Sequence, residues 1–286
     1  MSRTASAGRR RSAAPLFPLG LGAAGLVAGA FLLLPLVAIF TRVPLGTLLD
    51  QLGSPVVTDA LAVSAVTSLV AIALVLLVGT PTAYLLATRR FPGRSLAVTL
   101  VELPLVLPPA VAGIGLLAAF GRVGMLGGVL HFLGWQVPFT QAAVVLAVAF
   151  VASPLYVRQA IAAFEAVDPQ LVDASRTLGA SEARTFARVV LPLALPGLGA
   201  GTALAFARGL GEFGATIMFA GSLQGRTQTL PLAIYGSFES DFTTALAIGG
   251  LLVVVSAVLL LALKLRLPWK RSSPTSTYPF ATSRSS

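Results

Sequence analysis

The chain has 286 residues, of which 56% are hydrophobic and only 10% are charged, and its mean hydropathy is +0.89. Soluble domains of this size carry far more charge, so the composition excludes one and indicates a chain that is solvated by a lipid bilayer. A net charge of +10 would suggest nucleic acid in a soluble protein, but here it indicates basic loops beside an anionic leaflet. The chain contains no cysteine, which excludes disulfides and thiol chemistry.

Six apolar runs follow a basic N-terminal stretch. Residues 1–18 carry four arginines among serine, alanine and glycine, and we predict that they form a disordered tail. Each run exceeds the ~20 residues that cross a bilayer, and the first is too long for a cleaved signal peptide. The runs are Leu19–Phe40, Ala60–Ala87, Leu96–Phe120, Gln141–Phe164, Leu193–Ala220 and Thr244–Leu267. The sequence therefore predicts an all-α integral membrane protein with six transmembrane helices.

Proline interrupts the third run at Pro104, Pro108 and Pro109. A membrane helix tolerates such breaks where neighbouring helices or a water-filled path satisfy the freed backbone groups. A simple kink is the alternative at any single proline, but three prolines are too many for a plain membrane anchor. Glu102, close to this cluster, is either a buried acid or a side chain that reaches the membrane surface.

The basic residues are unevenly divided between the two sides of this topology. Of the 20 lysines and arginines, Arg42, Arg122 and Arg226 fall on one side and Arg208 lies inside a span. All the others fall on the side that holds both termini, including Arg158. Because cytoplasmic loops are enriched in Lys and Arg, we predict a multi-pass protein of the cytoplasmic membrane with both termini in the cytoplasm.

One long polar segment, Asp173–Pro192, separates the fourth and fifth runs. Its composition predicts a short helix over Asp173–Leu178, a hinge at Gly179 and a second helix. Ser181 can cap that second helix, and Glu182 suits the positive end of its dipole. A short amphipathic helix on a cytoplasmic loop can bind in a groove of a partner protein, although an ordinary surface loop is the alternative.

The spacing inside this segment resembles the Glu-Ala-Ala loop of permease subunits in binding-protein-dependent ABC importers. Asp replaces Glu and Ser replaces the second Ala, while every interval is kept. The matching residues are Asp173, Ala174, Ser175, Gly179, Val189, Leu191 and Pro192. The resemblance implies a type I, MetI-like permease core at 59–263 with an ATPase-coupling loop at 165–192. Residues 19–58 would then be a first helix and outer loop, and residues 264–286 a disordered cytoplasmic tail.

Two further segments refine the resemblance. Leu210–Thr216 looks like the corresponding segment of sulfate and molybdate permeases, and Gly225–Tyr235 is closer to the molybdate branch. This implies a pore of two identical subunits, two cytoplasmic ATP-binding subunits and an extracytoplasmic molybdate-binding protein. Sulfate or tungstate is the alternative cargo. Arg208 and Glu212, four residues apart in the fifth run, are expected to pair on one helix, either structurally or along the pathway.

The chemistry that the sequence lacks is informative. Neither Lys264 nor Lys270 follows glycine, so there is no phosphate-binding loop. His131 is the single histidine, which leaves no metal-ligand cluster. We therefore expect a transport subunit and not an enzyme, without a cofactor or nucleic acid, whose ATP and Mg²⁺ are bound by a partner. A secondary transporter would need inverted repeats and intramembrane acids, and a scaffold would not need broken spans.

Overall fold

The computed structural model describes residues 16–266, which form α-helices and no strand. The predicted tails at 1–18 and 264–286 lie outside these residues, apart from the first turn of α1 and the last turn of α13. The helices are α1 (Leu16–Arg42), α2 (Leu45–Leu52), α3 (Pro55–Thr88), α4 (Arg94–Val106), α5 (Pro109–Phe120), α6 (Gly127–Phe132), α7 (Gln141–Glu165), α8 (Pro169–Thr177), α9 (Glu182–Thr185), α10 (Leu191–Leu210), α11 (Gly214–Ala220), α12 (Leu230–Phe238) and α13 (Phe242–Arg266).

Four continuous helices in this part of the chain are long and apolar enough to cross a membrane. They are Gly20–Arg42, Pro55–Thr88, Gln141–Glu165 and Glu182–Leu210. The third predicted run is not one helix, because α4 and α5 meet at an angle of 115°. Pro108 and Pro109 cause this break: proline has no N–H to donate, and it forces the preceding Leu107 into an extended conformation. Counting α4 and α5 as one bent span gives five.

The fifth predicted run, Leu193–Ala220, is not one helix either, and its helical structure begins before the predicted start. Its helix begins earlier, at Glu182, and continues through a π-helical turn, Phe186–Val190, into α10. The turn lies immediately before Pro192, whose missing N–H interrupts the regular α-helical bonding. At the other end, α10 stops at Leu210, and α11 begins only at Gly214.

The core is built around α7, which packs between α3 and α10. Tyr156 of α7 is 1% exposed, and its hydroxyl lies 2.6 Å from Thr80 Oγ1 on α3. A Cβ atom at Gly79 would lie 2.9 Å from the Tyr156 ring, and one at Gly201 of α10 would lie 3.0 Å from Gln159 Cβ. These glycines therefore let three long helices approach closely, as small residues do in membrane bundles.

The two broken spans contact each other next to their breaks. A Cβ at Gly113 of α5 would lie 2.6 Å from the Ala215 carbonyl oxygen of α11, and one at Gly214 would lie 2.6 Å from Pro109 Cβ. The short helices α5 and α11 consequently pack backbone against backbone. This contact fixes the position of the non-helical link, Gly211–Phe213, that carries Glu212.

At the start of α13, the Asp241 carboxylate receives three hydrogen bonds. The Thr244 hydroxyl donates at 2.6 Å, and the backbone N–H groups of Thr243 and Thr244 donate at 2.9 and 3.1 Å. The Thr244 side chain contributes most, and together these bonds hold the pKa of the Asp241 carboxyl below its ordinary value. Asp241 thus caps the last helix.

Candidate functional site

The predicted polar segment forms two helices joined at Gly179. The first, α8, begins at Pro169, four residues before the predicted start, because Asp168 caps it by accepting from the Gln170 N–H at 2.9 Å. Gly179 has φ +81°, a conformation that costs a residue with a Cβ about 1–2 kcal/mol. Ser181 accepts from the Arg184 N–H at 3.4 Å and caps α9. The chain therefore reverses direction at a single glycine.

Exposed ion pairs connect this segment to α3. Glu182 Oε2 lies 3.1 Å from Arg89 Nη2 at the end of α3, and Glu182 Oε1 lies 3.6 Å from Arg176 Nη2 on α8. All three side chains are more than half exposed. Exposed pairs of this kind contribute about 0–1 kcal/mol each, so they orient the segment without fixing it rigidly.

Ser175 makes a polar contact that reaches into the interior. Its hydroxyl lies 3.0 Å from the hydroxyl of Thr185, which is 2% exposed. The bond joins α8 to α9 across the Gly179 turn. A serine at this position, where the resembling permeases have alanine, therefore has a physical role in this chain.

A shallow groove of about 410 Å³ runs along the outer side of α8. Its apolar lining is flanked by two arginines, and Leu178, which belongs to this lining, is 88% exposed. The lining residues are Leu171, Ala174, Ser175, Leu178, Ala180, Arg184, Arg188 and Val189. An exposed apolar surface rimmed by charge is typical of a protein–protein contact site.

The structure separates the predicted coupling residues into three groups. Ala174, Ser175 and Val189 line the groove together, and Gly179 forms the turn beside it. Asp173 instead lines a cavity of about 650 Å³ behind α8. The remaining two, Leu191 and Pro192, belong to the first turn of α10, where they follow the π-helical turn.

Arg208 and Glu212 form a short ion pair, as expected. The prediction that both lie on one helix is wrong. Arg208 is in the last turn of α10, whereas Glu212 lies beyond its end because the helix stops at Leu210. Arg208 Nη1 is 2.7 Å from Glu212 Oε2, and Glu212 Oε1 accepts from the Ala215 N–H at 2.8 Å. The Glu212 side chain is 1% exposed and that of Arg208 34%. Glu212 therefore also caps α11, which spacing alone could not indicate.

A second intramembrane ion pair was missed by sequence reasoning. Arg158, which the charge count placed on the cytoplasmic side although it falls within the fourth predicted run, lies inside α7, seven residues before its end. Its Nε is 3.7 Å from Glu102 Oε1 on α4. Nearer the end of the same two helices, Arg94 Nη2 lies 2.8 Å from Glu165 Oε1. On each of the two helices an arginine precedes a glutamate by about two turns, and in an antiparallel pair each arginine then faces a glutamate. This pattern could have predicted both pairs.

The fold and the segment together define the class: an all-helical, multi-pass membrane protein built as a transport permease. The chain belongs to the family described as "Binding-protein-dependent transport system inner membrane component", whose model matches residues 79–268. The predicted resemblance to permease subunits of binding-protein-dependent importers is thereby confirmed.

Relatives and solved structures agree with this family. The chain is 44% identical over 247 residues to "Molybdenum transport system permease protein ModB" of Mycobacterium tuberculosis, covering 86% of this chain and 92% of that protein. It is 35% identical over 257 residues to "Sulfate transport system permease protein CysT" of Salmonella typhimurium, covering 88% and 93%. A bacterial alginate ABC transporter, 15% identical with a TM-score of 0.67, covers 85% of this chain and 92% of its own and shares the fold.

Proposed function

We propose that this chain is the membrane-spanning permease subunit of an ATP-driven importer of molybdate. The observation that carries the proposal is the higher identity to the molybdenum permease, 44%, than to the sulfate permease, 35%, at similar coverage. The resemblance of Gly225–Tyr235 to the molybdate branch supports the same assignment. Sulfate and tungstate are the alternative cargoes.

The membrane topology that we infer has six spans with both termini in the cytoplasm. The bent pair α4–α5 counts as one span, and α13, whose apolar stretch Phe242–Val258 is shorter, counts as another. The distribution of Lys and Arg supports this orientation. The α8 segment then faces the cytoplasm, and the loop before α12 faces outward.

The partners follow from this topology. Two ATP-binding subunits, which carry the ATP and Mg²⁺, dock on the α8 grooves of two copies of this chain. The exposed Leu178 suits α8 for insertion into a groove of the ATP-binding subunit, and the apolar groove beside α8 adds contact area. The Gly179 turn transmits the movement toward α10. An extracytoplasmic molybdate-binding protein delivers the anion on the opposite side.

Within the membrane, Arg208 and Glu212 act as a positioning pair. The buried carboxylate holds both the end of α10 and the start of α11, and α11 packs against α5 of the broken third span. The pair therefore maintains the arrangement of the two broken spans along the anion pathway.

Uptake by the complex tests the cargo. The chain, its ATP-binding subunit and its binding protein are reconstituted in vesicles, and radioactive molybdate uptake is measured against excess tungstate and sulfate. ATP-dependent molybdate uptake that tungstate inhibits and sulfate does not is expected. Uptake that sulfate abolishes would move the chain to the sulfate branch. Uptake driven by an ion gradient without ATP would make it a secondary transporter.

A further inference from the structure

Two of the arginine–glutamate pairs described above differ in how tightly the arginine is held. Glu212 binds Arg208 at 2.7 Å, and that arginine side chain is 34% exposed. Glu102 lies 3.7 Å from Arg158, whose side chain is 72% exposed. A separation of 3.7 Å is too long for a hydrogen bond, so most of the Arg158 guanidinium remains available to another partner.

The depth of Arg158 follows from the α4–α7 contact. The pair of Arg94 with Glu165 marks the end of these antiparallel helices, and Arg158 lies seven residues further in. At 1.5 Å per residue this is about 10 Å inside the end of the helix. Arg158 is therefore a charge within a spanning helix and not on a loop.

An exposed guanidinium at this depth restricts what the surrounding surface can face. Charged side chains inside spans avoid lipid and turn to a protein interior or a water-filled cavity. The same face of α7 is closed further along the helix, where Val148 and Val151 are buried. Toward the end of α7, Ala162 and Glu165 on this face are exposed as well. Arg158 therefore lies at the inner edge of an exposed strip that, by the same rule, faces water or protein and not lipid.

We propose that Arg158 is a transient binding site for the transported tetrahedral oxyanion and that Glu102 is its positioning residue. The inference rests on the proposed function, because it assumes an anionic cargo. A guanidinium offers a planar fork of N–H donors that matches two oxygens of a tetrahedral oxyanion. In a pore of two identical copies, two-fold symmetry would give each Arg158 an equivalent in the other copy.

Charge variants of both residues test this site in the reconstituted complex. Arg158→Gln and the double variant Arg158→Gln with Glu102→Gln are each expected to lower molybdate uptake roughly 10- to 100-fold, the loss expected for a charged hydrogen bond. Glu102→Gln alone and Arg158→Lys, which keeps a charge without the fork, should lose less. Arg94→Gln, on the neighbouring pair, should change uptake less than about twofold.

A purely structural ion pair gives a different pattern of results. The double variant, or the swap of Arg158→Glu with Glu102→Arg, would then recover near-normal uptake, and that recovery would overturn the proposal. Size-exclusion chromatography and the ATPase rate of each complex separate loss of assembly from loss of transport. If wild-type complex takes up sulfate instead of molybdate, the proposed cargo fails while the Arg158 test is read with sulfate.

Discussion

The two ends of the bundle are held together by different kinds of contact. At the α8 end, the contacts of Arg89 and Arg176 with Glu182 are ion pairs between exposed side chains. At the opposite end, Ser64, 3% exposed, accepts from the Leu230 N–H at 2.8 Å, and Thr227, 0% exposed, accepts from the Leu223 N–H at 2.9 Å. The α8 end has one neutral bond of its own, between Ser175 and Thr185, but the polar contact that joins it to α3 is an exposed ion pair. At the opposite end, a buried, neutral bond joins α3 to α12.

This difference separates adjustable from fixed parts of the molecule. A buried hydrogen bond resists rearrangement because each unpaired group loses its solvation, whereas exposed ion pairs exchange partners with water at little cost. The α8 end is therefore suited to move with a partner. The opposite end and the α5–α11 contact are suited to keep their shape while the α8 end moves.

The largest expected effect is at the hinge of the adjustable end. Gly179 and Gly93 both have positive φ, +81° and +87°, and a Cβ at either would meet no atom within 4 Å. Leucine therefore imposes the same backbone strain at both positions. Gly179→Leu is expected to abolish ATP-driven uptake while the subunit still inserts, whereas Gly93→Leu, outside the groove, should retain most activity.

Uptake normalised to the amount of subunit in the membrane checks this prediction. Gly179→Asn, which tolerates a left-handed backbone, should restore part of the activity. Equal losses in Gly179→Leu and Gly93→Leu would mean that the whole α8 end is sensitive and that Gly179 has no special role.

The next largest effect, on stability, is expected at the ion pair of Arg208 and Glu212 in the fixed part of the molecule. Removing the charge of either Arg208 or Glu212 leaves the other uncompensated, which costs roughly 3–5 kcal/mol, whereas changing both to glutamine should cost much less. The swap of the two residues should not recover stability, because arginine at 212 cannot accept the Ala215 N–H that Glu212 binds. Thermal unfolding of the detergent-solubilised subunit measures each variant.

A wild-type melting temperature in Glu212→Gln would show that the pair contributes nothing. Full recovery in the swap would show that the bond to Ala215 is unimportant.

Sequence reasoning succeeded where a local pattern determines the structure. Apolar length predicted both ends of α7 and the end of α3 to within one residue, although α3 begins five residues earlier than predicted. The motif spacing located the turn at Gly179. It placed Arg208 and Glu212 on one helix because their spacing suits a helix, but α10 ends at Leu210 with Gly211 as its C-cap, before Glu212.

The remaining features depend on contacts between distant residues. The predicted run Gln141–Phe164 already contained Arg158, but nothing local identifies Glu102 as its partner, because that contact depends on the packing of α4 against α7. The groove beside α8 likewise requires residues from both sides of the Gly179 turn. Neither the Arg158–Glu102 contact nor the groove can be inferred from spacing along the chain alone.

The smallest expected effects are losses of stability on removing contacts at each end of the bundle. Ser64→Ala leaves the buried Leu230 N–H without its acceptor, which costs about 1–3 kcal/mol. Glu182→Gln removes two exposed ion pairs, and the expected loss is only about 0–1 kcal/mol. Ser68→Ala is the control for Ser64: it is equally buried one turn further along α3, and within residues 16–266 its hydroxyl bonds no other element.

Thermal unfolding of the three variants in detergent, at low and at high salt, distinguishes the two kinds of contact. Ser64→Ala should be the least stable at both salt concentrations, because salt does not screen a neutral buried bond. The small deficit of Glu182→Gln should vanish at high salt, where wild-type ion pairs are screened as well. A larger deficit for Glu182→Gln than for Ser64→Ala would reverse the assignment of the adjustable and fixed ends, because the exposed ion pairs would then be the stronger contact.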